Sequence, residues 1–162
     1  MMAAGNPPGT PKQIVKSINI LFYAIVIGLV FFSIVIYFLG FIQDPITKEK
    51  KVINVLFIAI LFIAALLVSI AERLYKKRII PAKQFGLDLV SKLNIYRTAL
   101  IVVIAIFEGI GLFACMLYIL TGNKLFFGVV ALILIGMFLK RPQKLKIFND
   151  LELNSDEQLE LN

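Results

Sequence analysis

The chain has 162 residues, of which 60% are hydrophobic, and its mean hydropathy is +0.92. A soluble domain is about 45 to 50% apolar, so this composition excludes a water-soluble fold and predicts an integral membrane protein with one compact domain. The chain has no His, no Trp, one Cys and a net charge of +7, which excludes disulfide frameworks, Cys-rich zinc sites and His-based catalysis.

The first half of the chain contains a polar leader and two apolar segments. Residues 1–13 are rich in Pro and Gly, which predicts a disordered leader. The apolar run at about 18–42 is too long for the core of a cleavable signal and predicts the first membrane span. The second span is predicted at about 52–71, which matches the roughly 20 residues needed to cross a bilayer. Its helix is expected to continue beyond the membrane and to end before Pro81.

The second half contains two more apolar segments and an acidic tail. The third span is predicted at about 97–121, and Gly122 starts a tight turn into the fourth span at about 125–139. That fourth span is short, because its 15 residues rise about 22 Å. The tail, residues 143–162, is expected to be solvated, with a docking segment as the alternative and Ser155 as the N-cap of a last short helix.

The distribution of basic residues predicts the orientation. Thirteen of the 17 Lys and Arg residues fall in the leader, the central loop and the C-terminal segment, and four fall in the other two connections. The positive-inside rule then places both termini in the cytoplasm, and we expect a bacterial cytoplasmic (inner) membrane. The basic residues flank apolar segments, so we expect them to face lipid rather than nucleic acid. The predicted fold is all-α: a polytopic membrane protein whose four transmembrane helices occupy residues 14–142.

The first and third spans share a pattern that indicates an internal repeat. A shift of 81 positions aligns the two spans without gaps, and it places Gly28 on Gly109 and Tyr37 on Tyr118. Gly and Tyr matches are more informative than matches among aliphatic residues in a chain this apolar. The repeat predicts two hairpins of the same orientation, related by an axis along the membrane normal.

One carboxylate lies inside a predicted span. Where the first copy of the repeat has Ile27, the second has Glu108, which lies 11 residues after Arg97 and 13 before Thr121. A charged group near the middle of a span costs about 2.5 to 3.5 kcal/mol on insertion scales, so the carboxyl is expected to be protonated, or paired with another helix, another subunit or a bound cation. Two interpretations stay open: a proton or cation site, and a hydrogen-bond donor that holds helices together.

Two further sets of residues are candidates for contacts. Small residues near Glu108 predict a helix-packing face, since they allow a neighbouring backbone to approach closely. This predicted face consists of Ala105, Gly109, Gly111 and Cys115. A basic cluster after the second span is a candidate for lipid or partner contact. This basic cluster consists of Arg73, Lys76, Lys77 and Arg78. No catalytic residue, metal site or cofactor is predicted.

The segment from the second to the third span resembles a known family. Residues 52–121 combine an apolar helix, a basic loop and a helix with the sequence FEGIGLFACMLYIL, and this unit resembles the proteolipid hairpin (c subunit) of rotary ATPases. The resemblance implies that Glu108 has the ion-carrying role. The segment departs from the family because the sequence VLFIAILFIAALLVSIA of the second span lacks the glycines that allow tight ring packing.

Two functions are therefore predicted. The first is a non-enzymatic membrane protein that acts by association, either with itself or as an accessory subunit of a larger membrane complex. The alternative is a proton- or cation-translocating, proteolipid-like protein that uses Glu108. The expected partners are the lipid bilayer and other membrane subunits or further copies of the chain.

Overall fold

The structure, a computed structural model, describes residues 9–42, 45–47, 49–83 and 86–161. These residues form six helices: α1 (Pro11–Ile42), α2 (Lys50–Ala82), α3 (Leu89–Thr121), α4 (Leu125–Leu139), α5 (Lys144–Leu151) and α6 (Ser155–Leu161). Helices α1, α2 and α3 are each long and apolar enough to cross a membrane, and α4 with α5 makes a fourth candidate span that is bent by 71°. An all-helical chain with several membrane-compatible helices is thus confirmed, with three to four candidate spans.

Helix α3 lies at the centre of the bundle. Half of its most apolar window is buried within the chain, compared with 28% for α1 and 11% for α2. Helices α1, α2 and α4 each pack extensively against α3 and have little contact with one another. The surface of α1 and α2 that does not face α3 is apolar and exposed, as expected for helices surrounded by lipid.

Helices α1 and α3 run in the same direction and fit together closely at glycines. A Cβ atom added at Gly111 would lie 2.9 Å from Leu29, and one added at Gly40 would collide with the ring of Tyr118. Because α1 packs on α3 and not on α2, the first hairpin is not packed as the second is. The arrangement as two equivalent hairpins, and the repeat behind it, stay predictions from the sequence.

The connections meet at two opposite ends of the bundle. At one end, the backbone N–H groups of Ile46 and Thr47 donate to the carbonyl of Leu120 over 3.0 and 3.2 Å. The turn after α3 lies at this end as well. Gly122 in this turn has a φ of 65°, and a Cβ atom added to it would lie 3.3 Å from Pro45. Helices α5 and α6 lie at the other end, beside the connection between α2 and α3.

Helix α1 begins earlier than predicted. The prediction of a disordered leader up to residue 13 is wrong for Pro11 to Gln13, which form the first turn of α1. Thr10 precedes this turn, and its backbone N–H donates to the side chain of Gln13 over 3.1 Å. This is half of a capping box, and proline is favoured at the first helical position because its missing N–H has no partner there anyway. Residues 1–8 lie outside the described part of the chain.

Helix α2 extends one residue past Pro81, so the prediction that it ends before this proline is wrong. The proline lies in the last turn, where its missing N–H removes one helical hydrogen bond close to the end. The N–H of Lys83 bonds to the carbonyls of Ile80 and Pro81, and Ile79 and Ala82 are buried against the bundle. Packing of this last turn offsets the lost bond.

The C-terminal tail is folded, so the expectation of a solvated tail is wrong. Helices α5 and α6 turn back against the bundle, because the tail carries apolar residues with helical spacing. Its buried side chains are Ile147, Leu151, Leu153 and Leu161. The N-cap of α6 is Asn154 and not Ser155: the side chain of Asn154 accepts from the N–H of Glu157 over 2.8 Å, and the side chain of Glu157 accepts from the N–H of Asn154 over 2.9 Å.

Candidate functional site

Glu108 lies on the rim of the contact between α3 and α1. The side chain is half-buried, and its neighbours Phe107 and Gly111 are buried while Ala105 and Leu112 are exposed. It forms no hydrogen bond or ion pair with any residue of the described chain. A carboxyl in an apolar span needs either a proton or a partner, and the bundle itself supplies no partner.

Two members of the predicted packing face, Gly111 and Cys115, do lie in a helix contact. Gly111 receives Leu29 of α1, and the Sγ of Cys115 is 3.4 Å from the Oγ of Ser33, one turn further along α1. The Ser33 hydroxyl donates its single proton to the carbonyl of Leu29 over 2.7 Å, so the thiol of Cys115 is the donor to Ser33. Buried small residues thus join α1 to α3 within one chain.

The other two members, Ala105 and Gly109, lie on a different side of α3. Both are exposed and line a groove between α3 and α2, and a Cβ atom added at Gly109 would meet nothing within 4 Å. The four small residues therefore do not form one packed face. Helical spacing placed the four residues on one predicted face without naming the neighbouring helix, and the sequence could not show that α2 leaves open space beside Gly109.

All four residues of the basic cluster are exposed on the last turns of α2. Lys77 and Arg78 line a cavity of about 640 Å³ between α2 and α3. Lys76 lines a different cavity, of about 370 Å³, between α2 and the residues that follow α4. The cluster is therefore divided between two sites, and Arg73 lines neither of them.

A polar network that the sequence did not predict joins the tail to the bundle. The Tyr75 hydroxyl donates to Asp150 over 2.5 Å, and Glu72 forms an ion pair with Lys140. Lys92 and Glu157 form the most enclosed ion pair, at 2.6 Å, with side chains 11% and 15% exposed. In the sequence, the opposite charges of the acidic tail and the basic central loop indicate that these two segments can attract each other. The sequence does not show which individual residues form ion pairs.

Several charged side chains of this network lie close together at the C-terminal end of α4. The Lys146 amine donates to the carbonyl of Leu139 over 3.2 Å. Burial lowers the pKa of Lys146 below its usual value, and the nearby Lys140 lowers it further.

At the start of α3, a hydrogen bond from Ser91 lowers the pKa of the capping carboxylate of Asp88. Within the described residues, no three His, Cys, Asp or Glu side chains lie close enough to hold a metal ion.

No family model, curated protein or solved structure matches this chain. The resemblance of residues 52–121 to the proteolipid hairpin therefore stays a prediction from its sequence motif. The fold itself defines the class: an all-helical protein with three to four helices suited to crossing a membrane.

Proposed function

We propose that this protein is a non-enzymatic membrane subunit that acts by association, with a partner helix placed against the exposed side of α3. The supporting observation is Glu108, a half-buried carboxyl without a partner in the described chain. Beside it, Ala105 and Leu112 are exposed, so another helix can approach the carboxyl. A protonated Glu108 would then donate a hydrogen bond to that helix, and hydrogen bonds between membrane helices contribute about 0.6 to 2 kcal/mol each.

The proposed setting is the bacterial cytoplasmic membrane, with both termini in the cytoplasm. Support comes from the grouping of basic residues, since the connection between α2 and α3 lies at the same end of the bundle as α5 and α6. Thirteen of the 17 Lys and Arg residues belong to the segments assigned to this side. The positive-inside rule favours the cytoplasm for that end.

The alternative is proton or cation transfer through Glu108. The same observation favours it, because a carboxyl inside an apolar span that has no partner among the described residues is free to exchange a proton or bind a cation. The two functions differ in what they require of the side chain. Association needs a hydrogen-bonding group, whereas ion transfer needs a group that ionises.

Two variants at one position separate the functions. Glu108→Leu is expected to reduce the assembled fraction roughly 3- to 30-fold, because the interhelical hydrogen bond is lost. Glu108→Gln is expected to assemble normally, since the amide still donates. The measurement is native mass spectrometry of protein extracted gently from its membranes, with copy number and accompanying chains recorded.

Ion flux into proteoliposomes completes the test. Assembly of Glu108→Leu at the level of the original protein would reject association through this face. Proton or cation flux that is present in the original protein and lost in Glu108→Gln, with assembly unchanged, would establish the alternative. A homo-oligomer would identify the partner as a second copy of this chain, and a fixed complex with other subunits would identify an accessory role.

A further inference from the structure

The gap between α2 and α3 is wide and basic at one end. Lys77 and Arg78 from α2 and Asn94 and Thr98 from α3 line the cavity of about 640 Å³ there, above the apolar side chain of Leu74. No acidic residue lines this cavity, and neither cation forms an ion pair within the described residues. The hydroxyl of Thr98 donates its single proton to the carbonyl of Asn94 over 3.0 Å, so the side-chain amide of Asn94 is the neutral donor here. Two adjacent cations beside a neutral donor are suited to a phosphate.

The other end of the same gap is apolar and reaches the middle of the predicted spans. A second cavity of about 450 Å³ is lined there by Ile60 and Leu67 from α2 and by Ile106, Gly109 and Phe113 from α3. The missing side chain of Gly109 leaves open space in the wall. Glu108 does not line this cavity, although the exposed Ala105 beside it does, so the cavity borders the proposed partner contact of Glu108.

The two cavities lie one after the other along the same side of the α2–α3 pair. On α2, Ile60, Leu67 and Leu74 are each seven residues apart, and residues with this spacing lie along one side of a helix. On α3, Thr98 lines the basic cavity and Ala105, seven residues later, lines the apolar one. We refer to this side of the α2–α3 pair, with its two cavities, as the groove; its lining is polar at one end and apolar in the interior.

The dimensions of the groove match a lipid in one leaflet. The 14 residues from Ile60 to Leu74 span about 21 Å of helix, which exceeds the about 15 Å half-thickness of the hydrocarbon core. Leu74 and Thr98 lie at the boundary of the predicted spans, and Lys77 and Arg78 lie within about two turns beyond it, at the level of lipid headgroups. A molecule with a phosphate at one end and a hydrocarbon chain at the other matches this groove, because its phosphate would meet the basic end and its hydrocarbon chain the apolar interior.

We infer that the groove between α2 and α3 binds one anionic phospholipid. Its phosphate lies between Lys77 and Arg78, and one acyl chain follows Leu67 and Ile106 to the open space at Gly109. The anionic headgroup is specified by charge, because two cations without acidic partners favour a lipid with net negative charge over a zwitterionic one. This inference does not depend on the proposed association through Glu108.

The test is lipid binding to the purified full-length protein in detergent. Native mass spectrometry would count bound molecules in an equimolar mixture of phosphatidylglycerol and phosphatidylcholine with identical acyl chains. One phosphatidylglycerol per chain is expected to be retained in preference to phosphatidylcholine. Lys77→Gln combined with Arg78→Gln is expected to reduce that preference roughly 25-fold, since each interfacial cation contributes about five-fold.

Matched variants separate the groove from general surface charge. Arg73→Gln combined with Lys76→Gln removes the same charge from the same end of α2 but outside the groove, so lipid preference is expected to be unchanged. Gly109→Leu fills the open space and is expected to weaken binding of both lipids. Equal loss in the two charge variants, equal retention of the two lipids, or displacement by an equal concentration of inorganic phosphate would each overturn the inference.

Discussion

Two glycines on α4 have opposite surroundings, although they lie eight residues apart on the same helix. A Cβ atom added at Gly136 would lie 2.5 Å from the ring of Phe107 on α3, whereas one added at Gly128 would meet nothing within 4 Å. Phe107 is buried, so its ring has little room to move away. Gly136 thus sets the distance between α3 and α4, and Gly128 does not.

Alanine substitution at these two positions should give opposite results. Gly136→Ala is expected to lower the free energy of unfolding by about 1 to 3 kcal/mol, because the added methyl group overpacks the contact with Phe107. Gly128→Ala is expected to leave stability unchanged or to raise it by up to about 1 kcal/mol, since alanine favours the helix. Unfolding in mixed detergent micelles would measure both. Equal effects of the two substitutions would contradict the assigned packing.

At the scale of elements, helices α5 and α6 depend on contacts with distant parts of the chain. Helices this short are not stable alone in water, so their structure requires docking. Ile147 and Leu151 supply the apolar contact, and Lys92 with Glu157 supplies an ion pair that is largely enclosed. Removing one member of such a pair leaves the other charge without a partner.

The ion pair should therefore control opening of the tail. Glu157→Gln is expected to reduce the free energy of tail opening by about 1 to 3 kcal/mol, because the Lys92 amine loses its charged acceptor. The amide oxygen of Gln can still accept the capping hydrogen bond from the N–H of Asn154. Hydrogen exchange at residues 144–161 would then be roughly 5- to 150-fold faster, while exchange in α3 would be unchanged. Glu160→Gln makes the same charge change at an exposed position of α6 and should have no effect. Similar exchange rates in the two variants would show that the pair does not hold the tail.

The elements that hydropathy defines could be predicted from the sequence, and those that tertiary contacts define could not. Long apolar runs predicted α1, α2 and α3, since burial in lipid requires no knowledge of the neighbouring helix. Docking of the tail was only the alternative prediction, because its eight- and seven-residue helices are stabilised by partners such as Tyr75 and Lys92, which are remote in sequence.

The candidate site at Glu108 could also be predicted from the sequence only in part. Glu108 could be identified from the sequence because a single carboxyl in an apolar span is conspicuous. Its position on the rim of the contact with α1 could not, because that depends on the rotation of α3 about its axis. For the same reason, the small residues near it were assigned to one face although they lie on two.

At the scale of the whole molecule, the structure has two distinct ends. One end contains the turn at Gly122 and the backbone bonds of Ile46 and Thr47 to Leu120. The other contains the tail and the connection between α2 and α3, joined by Lys83 with Glu152 over 2.7 Å. Helix α4 thus carries the chain from one end of the bundle to the other, although it has only 15 residues.

This arrangement predicts that the tail and the connection between α2 and α3 lie on the same side of the membrane. Reporters fused after residue 161 and inserted next to Gly86 are expected to give the same cytoplasmic signal, because both positions belong to the basic end. A reporter inserted next to Asn123 is the control and should give the opposite signal. A periplasmic signal from the C-terminal fusion alone would show that α4 does not cross the membrane.

The central position of α3 also determines the order in which the bundle can assemble. Chains are synthesised from the N-terminus, so α1 and α2 enter the membrane before the helix against which both pack. Until α3 is inserted, the sides of α1 and α2 that α3 will cover remain in contact with lipid. These sides include Leu29 on α1 and Ile60 on α2. The first two helices therefore have no packed intermediate of their own, and tertiary structure begins only with insertion of the third.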